Sequence, residues 1–335
     1  MSIRRNRPEI TEPGQIIEMA SGYQKSRIIL TAFELDIFSA IGEGFKSSEV
    51  VSRRIGARQK STERLLNALC AMGFLRKENG LFANTEASVR YLTKGSDDYL
   101  SRIGHMLNLY RSWGTLTEAV KAGTSVLARE YDPDSLVHFI EAMHHRAKKT
   151  ADELIANISL AGVKRVLDVG GGSGVYSMAF VRANPRLEAI VFDLPRVTEL
   201  TLKYISQEGL SQRIATIDGD YNKDDFGSGY DIVFMSAIVH INTYDENVRL
   251  IKKAYHSLNP GGRIIIQDHI MEGDRTSPVR GALFALNMLV NTQGGDTYTE
   301  DEMREWLTKA GCADIKRIKT GMENDLIIGV RNSDR

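Results

Sequence analysis

Cysteine is nearly absent. Cys70 and Cys312 are the two in 335 residues, far apart and without the close spacing of a metal-ligand set. That excludes a disulfide framework and a structural zinc site, and it predicts a reducing, cytoplasmic setting with no metal. Net charge is absent as well, with 43 basic residues against 43 acidic ones. No overall field draws the chain to nucleic acid or to an anionic membrane. No apolar run approaches the ~20 residues of a membrane span. The start, Met1 to Pro8, carries charge with no apolar stretch after it, so it does not read as a secretory signal.

One stretch stands out among what is present: Arg165-Val-Leu-Asp-Val-Gly-Gly-Gly-Ser-Gly-Val-Tyr-Ser-Met-Ala-Phe180. An apolar run ends at Asp168, breaks into glycines at 170, 171, 172 and 174, and resumes with helix-compatible residues. That is a strand, a tight turn and a helix start, a cradle for a nucleotide-like ligand. The dinucleotide fingerprint needs glycine at its first, third and sixth positions. From Gly170 the sixth position is Val175, and from Gly172 it is Ser177, so a nicotinamide-dependent oxidoreductase fails on register. What stands here is Asp-x-Gly-x-Gly-x-Gly, followed by a second apolar run, Ala189 to Pro195, that carries Asp193.

These two elements, at the spacing of a βαβ unit, resemble the first and second motifs of S-adenosylmethionine-dependent methyltransferases. The resemblance implies S-adenosyl-L-methionine as cofactor. It places the methionine and ribose part at Asp168, Gly170, Gly172 and Gly174, and the ribose hydroxyls at Asp193 beside Leu194. The strand Arg213 to Tyr221 ends in Asp220 and Tyr221, matching the family's acid-plus-aromatic pair for adenine, and Ser236 joins this cofactor set.

The first third offers a competing reading. Pro13 to Ile41 is helical, with an apolar stripe (Ile28, Ile29, Leu30, Ala32, Phe33, Leu35, Ile37, Phe38) wide enough to meet a second subunit. A short helix near Ser47 to Ile55, a second from Ser61 to Gly73 and a hairpin turned at Asn79-Gly80 make a winged helix-turn-helix. Between residues 46 and 80 there are eight Lys/Arg against Glu49, Glu63 and Glu78, so a ligand-responsive DNA-binding regulator has to be weighed. Against it, the would-be recognition helix is apolar at Leu65, Leu66, Ala68, Leu69 and Met72, with few side chains left to read bases. The domain instead resembles the dimerisation domain of bacterial and plant small-molecule O-methyltransferases. That implies a homodimer, with neither nucleic acid nor membrane as partner.

Two helical segments follow, Tyr99 to Lys121 and Asp134 to Leu160. In the resembling family such helices wall the acceptor pocket, which nominates Trp113, Phe139 and Met143, joined by Asn287, Met288 and Asn291 from a later helix over Val279 to Val290. His144 and His145 lie about 100° apart on a helix, so they are not a same-face metal pair and are expected at the surface or an interface.

Tyr230 to His240 reads as a strand surfacing at His240, where a histidine is placed to act as general base. His240 matches the family's catalytic histidine, but Ile241-Asn242 replaces its usual Asp-Trp. After Asn259-Pro-Gly-Gly262, the strand Arg263 to His269 carries Asp268 where the family often has a glutamate orienting that histidine. His269 is expected to point away. The family's second orienting glutamate is Thr297 here, and Thr299 with Glu302 forms a capping box.

The fold expected is α/β: a Rossmann-like, seven-stranded class I methyltransferase domain with an N-terminal, mainly helical winged-helix dimerisation domain. The divisions expected are 1–95 for dimerisation, 96–160 for the helical linker and acceptor pocket, and 161–335 for S-adenosylmethionine binding. The function expected is O-methylation of a small hydroxylated aromatic metabolite, with N- or C-methylation on the same fold as the alternative.

Overall fold

The computed structural model describes residues 9–127 and 133–333, so the charged start at Met1 to Pro8 lies outside the described residues. The chain divides into two compact units, one up to Leu107 and one from Asn108 onward. In the first, the long helix expected from Pro13 to Ile41 is three pieces, α1 (Pro13–Ser21), α2 (Tyr23–Glu34) and α3 (Ile37–Ile41). Asp36, at φ 51, turns the chain between the last two. Then come α4 (Ser48–Arg54), α5 (Gln59–Ala71), the hairpin β1 (Leu75–Glu78) and β2 (Leu81–Asn84), and α6 (Glu86–Leu92).

Ser47 caps α4 by accepting from the Val50 N–H. α5 begins earlier than its sequence suggests, with Arg58 rather than Ser61 at its N-cap. Asn79 and Gly80 both take positive φ, as a tight hairpin turn requires. This is a winged helix. α5 packs through Thr62, Leu66 and Leu69. Arg53 pairs with Glu49 and Lys77 with Glu63, so part of the local basic balance is neutralised within the domain.

α7 (Ile103–Trp113), α8 (Leu116–Ala122), α9 (Pro133–Lys148) and α10 (Ala151–Ala156) follow. Gly114 interrupts the first of the two long helices expected here, and the second breaks after Lys148. The remaining elements are β3 (Arg165–Val169), α11 (Val175–Ala183), β4 (Glu188–Asp193), α12 (Pro195–Gln207), β5 (Ile214–Asp218) and β6 (Tyr230–Ser236). After them come α13 (Tyr244–Ser257), β7 (Leu258–Asp268), the short β8 (Ile270–Met271), α14 (Val279–Asn291), β9 (Tyr298–Thr299), α15 (Glu300–Ala310), β10 (Cys312–Ile318) and β11 (Asp325–Arg331).

Seven of these strands make one sheet in the order β10-β11-β7-β6-β3-β4-β5. β3 to β7 run parallel, and β11 and β10 close one edge antiparallel. The apolar runs are nearly unbroken because both faces are covered. Leu167, Val169, Val233, Met235 and Ile264 pack on one side, and Val166, Val191, Ile232, Phe234 and Ile265 on the other. From β3 the chain builds outward to β4 and β5, then returns to place β6 on β3's other flank. The strand order reverses there, and the crevice beyond the carboxyl ends of β3 and β6 is where such sheets bind ligands.

Thr243 with Glu246 and Thr299 with Glu302 close capping boxes on α13 and α15, the second as its spacing predicts. Trp306 of α15 is fully buried, with ring centroids 4.7 Å from Tyr298 and 5.6 Å from Tyr244. Trp306→Ala should cost about 3–5 kcal/mol, read as a lowered urea midpoint. An unchanged midpoint would mean that this layer does not hold the sheet.

Candidate active site

The donor side begins at the end of β3. Gly170 has φ +65, and a Cβ there would stand 2.2 Å from Ile238 Cδ1, so only glycine lets this turn lie against the segment after β6. Its N–H donates to the Phe192 carbonyl. Gly172 and Gly174 also take positive φ, and Gly174 is the N-cap residue of α11. Asp193, the last residue of β4, accepts from the Gly172 N–H at 2.9 Å and the Leu194 N–H at 2.8 Å, while the Leu194 side chain is exposed. Glycine loop and second acid are thus tied together by a direct hydrogen bond.

Asp168 is fully buried. Its Oδ2 accepts from Ser177 Oγ at 2.8 Å, and Oδ1 finds no hydrogen-bond partner among the described residues. Burial pushes the carboxyl up to about 7; the Ser177 hydroxyl opposes the rise and the Asp193 charge adds to it. A buried oxygen left this way lacks a partner that a ligand can supply. The residues therefore fit the cationic methyl donor that the resemblance implies.

Beyond β5, Asp220 is committed to its own turn. Its carboxylate accepts from Lys223 Nζ and from the Asn222 N–H, and the Lys223 hydrogen bond holds it below the ordinary carboxylate range. Tyr221 flanks Gly170 and donates to Asn242 Oδ1 at 3.4 Å. Ser236 ends β6 and donates to Gln267 Oε1 at 2.5 Å.

On the acceptor side, His240 is not the end of a strand. β6 stops at Ser236, Ala237 takes φ 57, and His240 lies in a single 3-10 turn, 8% exposed. Its Nδ1 stands 2.8 and 3.0 Å from the two oxygens of Asp268. Asp268, 1% exposed, also accepts from the His269 N–H at 2.7 Å and the His240 N–H at 3.4 Å. Burial works to raise this carboxyl, but the charge and hydrogen bond of His240 win and hold it below its usual range. An ionised carboxylate only accepts, so Nδ1 carries the hydrogen, and in a neutral imidazole the lone pair then sits on Nε2.

Gly295 is the second position where glycine is required. A Cβ there would stand 2.4 Å from the His240 carbonyl, which the neighbouring Asp296 N–H caps at 3.0 Å. Thr297 is buried and donates weakly to the Gly281 carbonyl, 3.3 Å away. Among the described residues it makes no hydrogen bond to His240.

Trp113, Asn287 and Asn291 are brought together. Trp113 Nε1 donates to Asn287 Oδ1 at 2.9 Å, and Asn291 Nδ2 reaches the same oxygen at 3.2 Å. Met288 is buried, Met143 half-buried and Phe139 exposed at 39%. The ring that stands against His240 is Phe284, 4.8 Å between centroids.

Two expectations are corrected. His269 does not point away: it is buried, and its ring lies tilted against the same Phe284, 4.6 Å between centroids. His144 is not at the surface: it is 5% exposed, stacks on Tyr204 and bonds Ser173 of the glycine loop at 2.9 Å. Burial pushes both imidazoles down to about 4. Sequence reasoning also missed Gln267, though a polar residue inside an apolar parallel strand is a visible signal, and Tyr176, whose hydroxyl joins Ser236 and Gln267.

Comparison with known proteins gives the family. Residues 117–313 match the O-methyltransferase domain family, and residues 17–94 match the O-methyltransferase dimerisation domain. The chain is 31% identical to the 3-hydroxy-5-methyl-1-naphthoate 3-O-methyltransferase of Streptomyces sahachiroi, over 97% of each chain. Among solved structures, an O-methyltransferase family protein from Burkholderia thailandensis superposes with a TM-score of 0.87 at 26% identity, covering 98% of this chain and all of that one. Human N-acetylserotonin methyltransferase in complex with its methyl donor gives 0.80 at 25% identity, over 98% of this chain and 100% of that one.

The raised Asp168 sets a pH dependence. Its unfolded value lies near 3.9, so the folded protein binds this proton more tightly, and the stability it contributes is lost as pH rises toward about 7. Asp168→Asn should flatten that slope and leave the free protein more stable than the parent at pH 8. Urea unfolding at about pH 5 and 8 checks it; parallel slopes in both proteins would refute it.

Proposed function

This chain belongs to the S-adenosylmethionine-dependent O-methyltransferase family, and from that premise we propose that it methylates a hydroxyl of a small aromatic metabolite with His240 as general base. Asp168, the glycines at 170, 172 and 174, Asp193 with Leu194, Asp220, Tyr221 and Ser236 would hold the donor. When bound, S-adenosylmethionine supplies a methyl group already activated by its sulfonium.

What remains for the protein is alignment, exclusion of water and removal of one proton. A phenol titrates near 10, so at neutral pH it is a poor nucleophile until a base takes its proton. His240 Nε2 takes that proton. Asp268 fixes the tautomer that leaves Nε2 free and stabilises the imidazolium that forms, and this His240–Asp268 pair is the observation that carries the reading. Phe284 covers the imidazole, while Trp113, Asn287 and Asn291, with Phe139, Met143 and Met288, would supply the acceptor wall. The Streptomyces sahachiroi relative, named for a hydroxynaphthoate, agrees with an aromatic acceptor.

The working unit proposed is a homodimer. α1 buries none of its residues within one chain, and it presents Ile16 (57% exposed), Ile17 (67%) and Met19 (73%). A row of this kind needs a covering surface, and the dimerisation domain supplies the context. Light scattering should return twice the 37.4 kDa chain mass. Ile17→Glu with Met19→Glu should return one chain mass, and a dimer unaffected by this pair would place the contact elsewhere.

His240→Ala should lower kcat by about 10²–10⁴-fold while S-adenosylhomocysteine binds as before. Asp268→Asn should lose rate through the wrong tautomer. Mass spectrometry and NMR of the product distinguish an O-methyl from an N- or C-methyl group. Parent-like turnover by the alanine variant would remove His240 from proton transfer.

A further inference from the structure

Two arginines converge where the acceptor walls end. On α9, Phe139, Met143 and Arg146 recur at i, i+4 and i+7 and so share one face. On α14, Arg280, Phe284, Asn287 and Asn291 recur in the same way. One acid ties the two faces: Glu323, in the segment between β10 and β11, pairs with Arg146 at 2.8 Å and also with Arg280. Two guanidiniums on one carboxylate leave the trio with one uncompensated positive charge.

The trio lies on the base's side of the pocket. Phe284 follows Arg280 by one helical turn, and its ring contacts both His240 and His269. The charges of both arginines bear on His269, and that of Arg146 on Tyr176 as well. Both guanidinium side chains remain accessible, 40% and 62% exposed.

We propose that Arg146 and Arg280 form an anion subsite that binds a carboxylate on the acceptor, making the substrate a hydroxylated aromatic acid. The inference rests on the reading of O-methylation at His240 and names the substrate class of that site. Paired guanidiniums present donors in the planar fork that a carboxylate matches with two parallel bonds. A phosphate monoester would bring about two charges to a site with one to offer. Arg280 stands about 6 Å along the helix axis from Phe284, which leaves room for a ring between a hydroxyl at His240 and an acid at the arginines. In the free protein Glu323 holds the two guanidiniums in place, and the incoming carboxylate competes with it.

The test uses the full-length protein loaded with S-adenosylhomocysteine for binding and with S-adenosylmethionine for turnover. The probes are hydroxybenzoic and hydroxynaphthoic acids, each beside its methyl ester. The parent should prefer acid over ester by about tenfold or more in Kd and KM, as charged hydrogen bonds at a partly exposed site allow. Arg146→Gln and Arg280→Gln should each erode that preference while leaving ester binding in place, and Glu323→Gln should tighten acid binding. A merely structural role would weaken acid and ester alike and would overturn the subsite. Equal use of acids and esters by the parent would also overturn it while leaving O-methylation standing. Neither binding nor methylation of any member would overturn both readings.

Discussion

A carboxylate at 1% exposure persists as an anion only where donors surround it, and the Asp268 carboxylate has three: the His240 ring, the His240 N–H and the His269 N–H. Their convergence constrains much of the larger unit. β6 and β7 must run parallel in the register that sets Ser236 opposite Gln267. The chain must then turn sharply, which Ala237 does at positive φ. The loop before β9 must come close enough to cap the His240 carbonyl, which Gly295 permits. Lengthening any of these segments separates His240 from Asp268, and an imidazole without that carboxylate has no fixed tautomer.

The same register joins the two halves of the site. Ser236 and Gln267 hydrogen-bond across the ends of β6 and β7, and each is followed within four residues by a member of the His240–Asp268 pair. β3 lies on the other flank of β6, so its glycine turn reaches the same crevice, and Ile238 fills the space that Gly170 leaves open. His144 adds a second link, from α9 to Ser173 of the glycine loop. The donor loop is thus bonded directly to the helix that carries Phe139, Met143 and Arg146.

The donor half was readable in residue order because it is written in backbone. Positive φ, a strand end and a helix start each restrict the residues allowed, so Asp168 to Val175 carries its geometry in its composition. Alternating faces, the capping box at Thr299 and the hairpin at Asn79-Gly80 were legible on the same ground. The misplaced features were those decided by contacts distant in sequence. An α-helical pattern cannot tell that His144 will meet a loop at residue 173. Alternation sent His269 away from Asp268, but β7 ends at Asp268, and past the end of a strand the two-residue period no longer governs. His240 shows the same limit, since the apolar run continues past Ser236 although the strand does not.

This division also bears on how the fold accommodates different acceptors. The glycine turn, Asp268 and His240, to which the proposed reading gives activation and alignment, are locked by buried hydrogen bonds and by sites where an added Cβ collides with its neighbour. Changing one of them disturbs the sheet's end. The proposed acceptor wall draws instead on side chains of α7, α9, α14 and the β10–β11 segment, most of them half-buried or exposed, and joined through single contacts such as Trp113 to Asn287 and Arg146 to Glu323. Substitutions there exchange one partner for another without opening the core, at a cost of the size usual for surface positions. On the proposed reading, acceptor identity is thus free to vary while the His240–Asp268 pair is not, so a change of substrate in such a chain is to be sought among the helix faces before the strand ends.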